Sequence, residues 1–180
     1  MFIYKDNKVI DITTTKVNWL VISMKYKLSE EFIEKYENFV YWDYITSYQE
    51  LSEHFIEKYE HKIDWIYIPM IQKLSESFIE KHSDKMNWLC ISQYQELNEE
   101  FIEKHINNIN CGIISKYQQL SEKFIEKYKN NVYWFYISQY QSLSEEFIEK
   151  HKELVEWANI LKYQQLSESF LEKYKTKIYQ

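Results

Sequence analysis

Leu28-Ser29-Glu30-Glu31-Phe32-Ile33-Glu34-Lys35-Tyr36 decides the fold, because it returns. Its leucine recurs at Leu51, Leu74, Leu97, Leu120, Leu143 and Leu166, always 23 residues on. Phe32 recurs in the same register at Phe55, Phe78, Phe101, Phe124, Phe147 and Phe170, with no insertion. A period held over seven copies marks a stacked array, in which each copy buries its apolar face against the next. Within the stretch, Leu28, Phe32, Ile33 and Tyr36 share one helical face. Ser29 suits an N-cap, and Glu30 complements the positive end of the helix dipole.

Each copy carries a second helical signal, headed by Trp19, Trp42, Trp65, Trp88, Trp134 or Trp157. Asn18, Asp64, Asn87 and Asn110 precede these helices and suit their N-caps. With Trp42 set at zero, Ile45 and Gln49 fall near it on the wheel and Tyr48 on the flank. Trp and Ile are therefore the expected inner face of a helix of about two turns. A single long helix is excluded because the apolar phase jumps between Gln49 and Ser52, where an N-cap residue sits. The expected fold is all-α: an α-solenoid of about seven two-helix repeats, held together by packing because such short helices are marginal alone.

The repeat array spans residues 18–180 as one domain, and residues 1–17 are a degenerate N-terminal capping unit. There Val9 and Ile10 fall in the Phe-Ile columns and Asp6 in the Ser29 column. The β-branched run from Val9 to Thr15 makes a helix weak and leaves a short strand open. Pro69, in the fourth or fifth position of its helix, removes a backbone bond at ~3 kcal/mol. Gly112 costs ~1 kcal/mol relative to Ala beside a Trp reduced to Cys111. Both predict local softening.

The pattern LSEEFIEK(Y/H)xxxVxWxxISxYQ, matched residue for residue from Leu143 to His151, resembles a tandem repeat of large DNA viruses with AT-rich genomes. The resemblance covers residues 18–180, with Cys111, Pro69 and Lys25 as departures. It implies a viral repeat protein and carries over no catalytic residue. The scarcity of Gly, Pro and Ala points to the same AT-rich origin.

Composition narrows the function. The formal charge is −6, and all 22 basic residues are lysine, so the field repels phosphate and bidentate arginine contacts are absent. This argues against nucleic-acid binding. No apolar run approaches the roughly 18 residues of a membrane span, and Cys90 and Cys111 read as two reduced thiols. A soluble intracellular protein is expected, in the host cytoplasm if the origin is viral. No nucleophile–base constellation, Gly-rich phosphate loop or HExxH spacing occurs, so neither an enzyme nor a cofactor or metal site is expected.

Three sets of columns are candidate sites. His82, His105 and His151 share a column with Tyr36, Tyr59, Tyr128 and Tyr174, which favours a semi-buried side chain with a wet polar tip over a metal ligand. Glu30 and Glu34, repeated in each copy, form a double acidic stripe on a solvated face, stabilised by i,i+4 pairs such as Glu31–Lys35. The third column pair is where the copies disagree. It reads Leu20, Asp43, Ile66, Leu89, Gly112, Phe135, Ala158 and Val21, Tyr44, Tyr67, Cys90, Ile113, Tyr136, Asn159. In a repeat scaffold the framework is uniform and the recognition surface varies. The expectation is a non-enzymatic scaffold binding another protein through Asp43, Tyr44, Ile66, Tyr67, Leu89, Phe135 and Tyr136. Burial of these positions under a neighbouring helix is the competing reading. A protein that sequesters a small-molecule or nucleotide-derived ligand, in an aromatic pocket between repeats near Cys111 and Gly112, is the alternative function.

Overall fold

The computed structural model describes residues 2–5, 8–11 and 17–174. Strands β1 (Phe2–Lys5) and β2 (Lys8–Asp11) form an antiparallel hairpin, with Phe2 opposite Asp11 and Lys5 opposite Lys8. Val9 and Ile10 thus lie in a strand although the repeat register puts them in helical columns, as Cβ branching favours. Thr13 to Thr15 of the same run lie outside the described residues.

The rest is a tandem helical repeat, an α-solenoid. The Trp-headed helices are α1 (Trp19–Lys25), α3 (Trp42–Tyr48), α5 (Ile68–Ile71), α7 (Trp88–Tyr94), α9 (Cys111–Tyr117), α11 (Trp134–Tyr140) and α13 (Trp157–Tyr163). The Ser-headed helices are α2 (Glu30–Lys35), α4 (Glu53–Lys58), α6 (Glu76–Lys81), α8 (Glu99–Lys104), α10 (Glu122–Lys127), α12 (Glu145–Lys150) and α14 (Glu168–Lys173). The chain divides into two compact units, Met1–Asn87 and Trp88–Gln180. In the first, α1, α3 and α5 pack in succession; in the second, α7, α9, α11 and α13 do so.

Local chemistry sets each helix boundary. Ser29, Ser52, Ser75, Asn98, Ser121, Ser144 and Ser167 accept the backbone N–H of the phenylalanine three residues on. Asn18 and Asn110 cap their helices in the same way, whereas α3, α11 and α13 start without a side-chain cap. Between the helices, Gln49 and Ser52 have extended backbones, which is the break that the phase jump required.

The core is columnar. Ile45, Ile68, Ile91, Ile114, Ile137 and Ile160 are fully buried on the Trp-headed helices, as are Ile33, Ile56, Ile79, Ile102, Ile125 and Ile148 on the Ser-headed ones. Each is worth about 1.5–3 kcal/mol of burial. The tryptophans depart from expectation: they are half-buried on the flank of their helix, not its innermost residues. The Trp42 ring rests on Tyr59 and Phe55, at 4.8 and 6.2 Å between centroids. Its Nε1–H donates to the Glu37 carbonyl at 3.0 Å, and a buried inner position would leave that donor without a partner.

Pro69 corrects the expectation of a proline deep in its helix. The helix instead begins three residues late, so Pro69 is its second residue, where no helical N–H is needed. Residues 65–67 form a turn, with Tyr67 N–H bonded to the Asp64 carbonyl at 3.2 Å. Gly112 leaves α9 at the same seven-residue length as α11.

Candidate functional site

What binds copy to copy is a pair of polar ladders, and they decide which side chains remain for a partner. The first is buried. Gln118 Oε1 accepts the Leu97 N–H at 3.1 Å, and its Nε2 donates to the carbonyls of Ser92 and Gln95 at 2.9 and 2.7 Å. Gln49, Gln141 and Gln164 repeat the three bonds in their own copies. One amide so satisfies the backbone groups that the bend leaves open, in a place too dry for water to do it. The serine column helps: Ser115 Oγ–H donates to the Cys111 carbonyl and the same oxygen accepts the Tyr133 N–H at 3.0 Å.

The second ladder is exposed and charged. Glu30 Oε1 accepts the Ser52 N–H of the next copy at 2.6 Å, and Glu53, Glu99, Glu122 and Glu145 do the same for Ser75, Ser121, Ser144 and Ser167. Lys58, Lys81, Lys127, Lys150 and Lys173 each reach back to Glu34, Glu57, Glu103, Glu126 and Glu149. The acidic stripe is thus half of an inter-copy ladder rather than a merely solvated face. The lysines pair with the preceding copy because stacked helices bring the two charge columns side by side; of these five only Lys150 has an acidic residue, Glu146, four positions before it.

The histidine tips are not wet. His82 is buried between Trp65 and Phe78, at 5.0 and 4.6 Å, and its Nε2 lies 3.2 Å from a Glu57 oxygen. His151 repeats this between Trp134 and Phe147, with Nε2 2.6 Å from Glu126. Glu126 also binds Lys150 and Lys129, and these partners, Lys150 foremost, hold its carboxyl down to about 2. Among the described residues, no group of three or more His, Cys, Asp or Glu is placed to hold a metal ion. Cys90 and Cys111 are free and half-buried, and burial pushes the Cys111 thiol up, which keeps it protonated and poorly nucleophilic at neutral pH.

The variable columns lie on the outer side of the Trp-headed helices. In the first compact unit Asp43, Ile66 and Tyr67 are exposed, Ile66 at 63%, while Tyr44 is half-buried against Tyr41 and Tyr48. In the second, Leu89 and Phe135 are exposed at 50% and 45%, and Tyr136 is half-buried among Tyr133, Phe135 and Tyr140. The neighbouring helix therefore leaves the outer column, Leu20 to Ala158, open, with only Gly112 half-buried.

Sequence reasoning passed over the adjacent column. Tyr94, Tyr117, Tyr140 and Tyr163 are all between 45% and 48% exposed, and Tyr48 in the first unit is 58% exposed. Grooves open between successive members: one of about 540 Å³ between Tyr94 and Tyr117, and one of about 470 Å³ between Tyr140 and Tyr163. A smaller one of about 180 Å³ lies between Lys25 and Tyr48. All three lie at the bends rather than beside Cys111 and Gly112. The Tyr-Gln pair, present in five of the seven copies and replaced at Lys25-Tyr26 and Ile71-Gln72, was the available signal: its glutamine turns inward, so its tyrosine, one residue back, faces out.

Fold and surface together define a tandem helical repeat protein with a uniform, self-bonded framework and outward aromatic side chains in each compact unit. Comparison with protein-family models, with curated proteins and with solved structures found no match. Among the described residues, no helix is long and apolar enough to cross a membrane.

Proposed function

We propose that this chain is a non-enzymatic repeat scaffold that binds another protein through the outer face of its Trp-headed helices. The observation that carries the reading is the exposure of Ile66, Leu89 and Phe135 in columns where the copies differ. Large apolar side chains held open, Ile66 in the first unit and Leu89 and Phe135 in the second, cost solubility and mark interaction surfaces. The grooves at the bends are open and polar-edged, which suits an extended partner better than the enclosed pocket of a ligand-sequestering protein. In this reading the resemblance to viral repeats makes the partner a host factor in the cytoplasm of the infected cell.

The test is capture from a host lysate by the chain and by a variant with Ile66, Leu89 and Phe135 all changed to Asp. A lysine-face control, Lys58→Ala with Lys127→Ala, runs alongside. Proteins retained by the control and lost with the aspartate variant support the reading. Identical capture by all three would assign recognition to another surface.

A further inference from the structure

The exposed tyrosines of the second compact unit form a periodic surface, and the period identifies its partner. Helices α7, α9, α11 and α13 pack directly on one another, and packed helices lie ~8–10 Å apart. Tyr94, Tyr117, Tyr140 and Tyr163 occupy the same position on each, so the helix positions that carry them repeat at that spacing. Of the regular peptide conformations, one matches. A polyproline II strand rises 3.1 Å per residue with three residues per turn, so every third side chain returns to one side after about 9 Å. An α-helix returns after about 5.4 Å and again after about 10.8 Å, and a β-strand after about 6.6 Å, all outside that range.

The walls and edges of the grooves agree with this. Tyr94 and Tyr117 flank one groove with Gln93 and Gln119, and Tyr140 and Tyr163 flank the other with Gln139 and Gln165. Aromatic rings separated by grooves receive proline rings, and side-chain amides donate to the carbonyls that a polyproline II strand leaves without internal partners. Charge narrows the partner further. The helices α7, α9, α11 and α13 carry Lys116 and Lys162 and no acidic residue, although the chain as a whole is at −6; Glu96 lines the groove at the first rung, so the positive charge lies further along the row, at Lys116. Lys116 Nζ stands 4.8 Å from the centre of the Tyr117 ring and 5.6 Å from that of Tyr140, between two successive rungs.

We propose that the row from Tyr94 to Tyr163 docks a proline-rich peptide in the polyproline II conformation, about nine residues long, with an acidic residue meeting Lys116. This inference rests on the protein-binding reading and specifies its partner. Four rungs enclose three intervals, and nine residues at 3.1 Å span about 28 Å, enough to cover them.

The test is fluorescence anisotropy of the full chain with labelled nonapeptides. The set is oligoproline with a central Asp, unsubstituted oligoproline, oligoproline with a central Lys, and a Gly-Ser peptide of equal length. The expected order of affinity is Asp, then unsubstituted, then Lys, with no binding of the Gly-Ser peptide. Tyr117→Ala with Tyr140→Ala weakens the Asp peptide at least tenfold, and Lys116→Glu inverts the preference between the Asp and Lys peptides. Circular dichroism reports whether the tyrosine variant is folded; if it is not, Lys116→Glu alone decides.

Equal binding of the Gly-Ser peptide, indifference to Lys116→Glu, or binding of a neutral β-linked oligosaccharide in place of oligoproline each overturns the inference. If oligoproline fails while capture still depends on Ile66, Leu89 and Phe135, the partner class is wrong and the protein-binding reading stands.

Discussion

The Trp-headed and Ser-headed helices are bonded to their own kind in the next copy by opposite means. The first layer uses neutral glutamine amides in a dry bend, and the second uses carboxylates and lysines at the surface. Buried amides left unpaired are costly, so the glutamine ladder should dominate the array's cohesion. Surface ion pairs are screened, and Lys127 and Glu103 are themselves 56% and 36% exposed, so the charged ladder adds little individually. The cohesive layer is therefore also the one that can leave its outer face free to vary.

Breaking the neutral ladder gives the largest effect. Gln118→Ala strands the Leu97 N–H and the Ser92 and Gln95 carbonyls and should destabilise the chain by about 3–5 kcal/mol, read in urea denaturation. Lys127→Ala, the matched cut in the charged ladder, should leave the urea midpoint close to that of the unchanged chain. Equal losses would abolish the contrast.

Next in size are two changes of opposite sign. Ser144→Ala removes the oxygen that accepts the Phe147 N–H and should cost about 1 kcal/mol. Pro69→Ser supplies the amide N–H and hydroxyl that the other Trp-headed helices use, as in Ser92, and should stabilise by about 1 kcal/mol. Slower amide exchange at Tyr67 to Ile71 is the expected signature, and unchanged exchange there would mean that the shortened helix has another cause.

The charged ladder has its own pH signature. Glu126 is held well below the ordinary 4.5, to about 2, so its contribution is full above about 4.5 and is lost as pH falls towards 2. Glu57, lowered by Lys81 and His82, follows the same direction. Glu126→Gln should flatten the stability profile between those limits, whereas Gln118→Ala should shift the whole profile downward without changing its slope.

The smallest expected effect on stability belongs to the outer face. Leu89→Asp should change stability by less than about 0.5 kcal/mol while reducing partner capture. A large loss of stability would mean that the column belongs to the framework.

How much of this could be read in advance follows from the range of each interaction. The two-helix copy was legible because its causes are local: a phase jump, an N-cap serine and an apolar stripe all lie within a few residues. The seven-fold array was legible because the period is strict. Gln49 resisted, since three-residue phase reasoning places it beside Trp42, while its bonds run to Ser23, Tyr26 and Leu28 in the preceding copy. Lys58 resisted for the same reason, as i,i+4 arithmetic cannot see Glu34 across the stack. Pro69 was misplaced because a helix can retreat to accommodate its proline. At the candidate surface, variability pointed to Tyr44 and Tyr136, both half-buried, and away from Tyr117 and Tyr140, which recur from Tyr94 to Tyr163 and are more exposed.

The glutamine bonds also act as a length gauge. Gln141 meets Leu120, Gln118 and Ser115 across intervals of 21, 23 and 26 residues, and Gln118 meets Leu97, Gln95 and Ser92 across the same three. A substitution at an outer position leaves those intervals untouched, but one residue added or lost inside a copy would pull all three out of reach together. The array can therefore change its face freely and its spacing hardly at all, which makes it a ruler whose markings can be rewritten while its divisions stay equal.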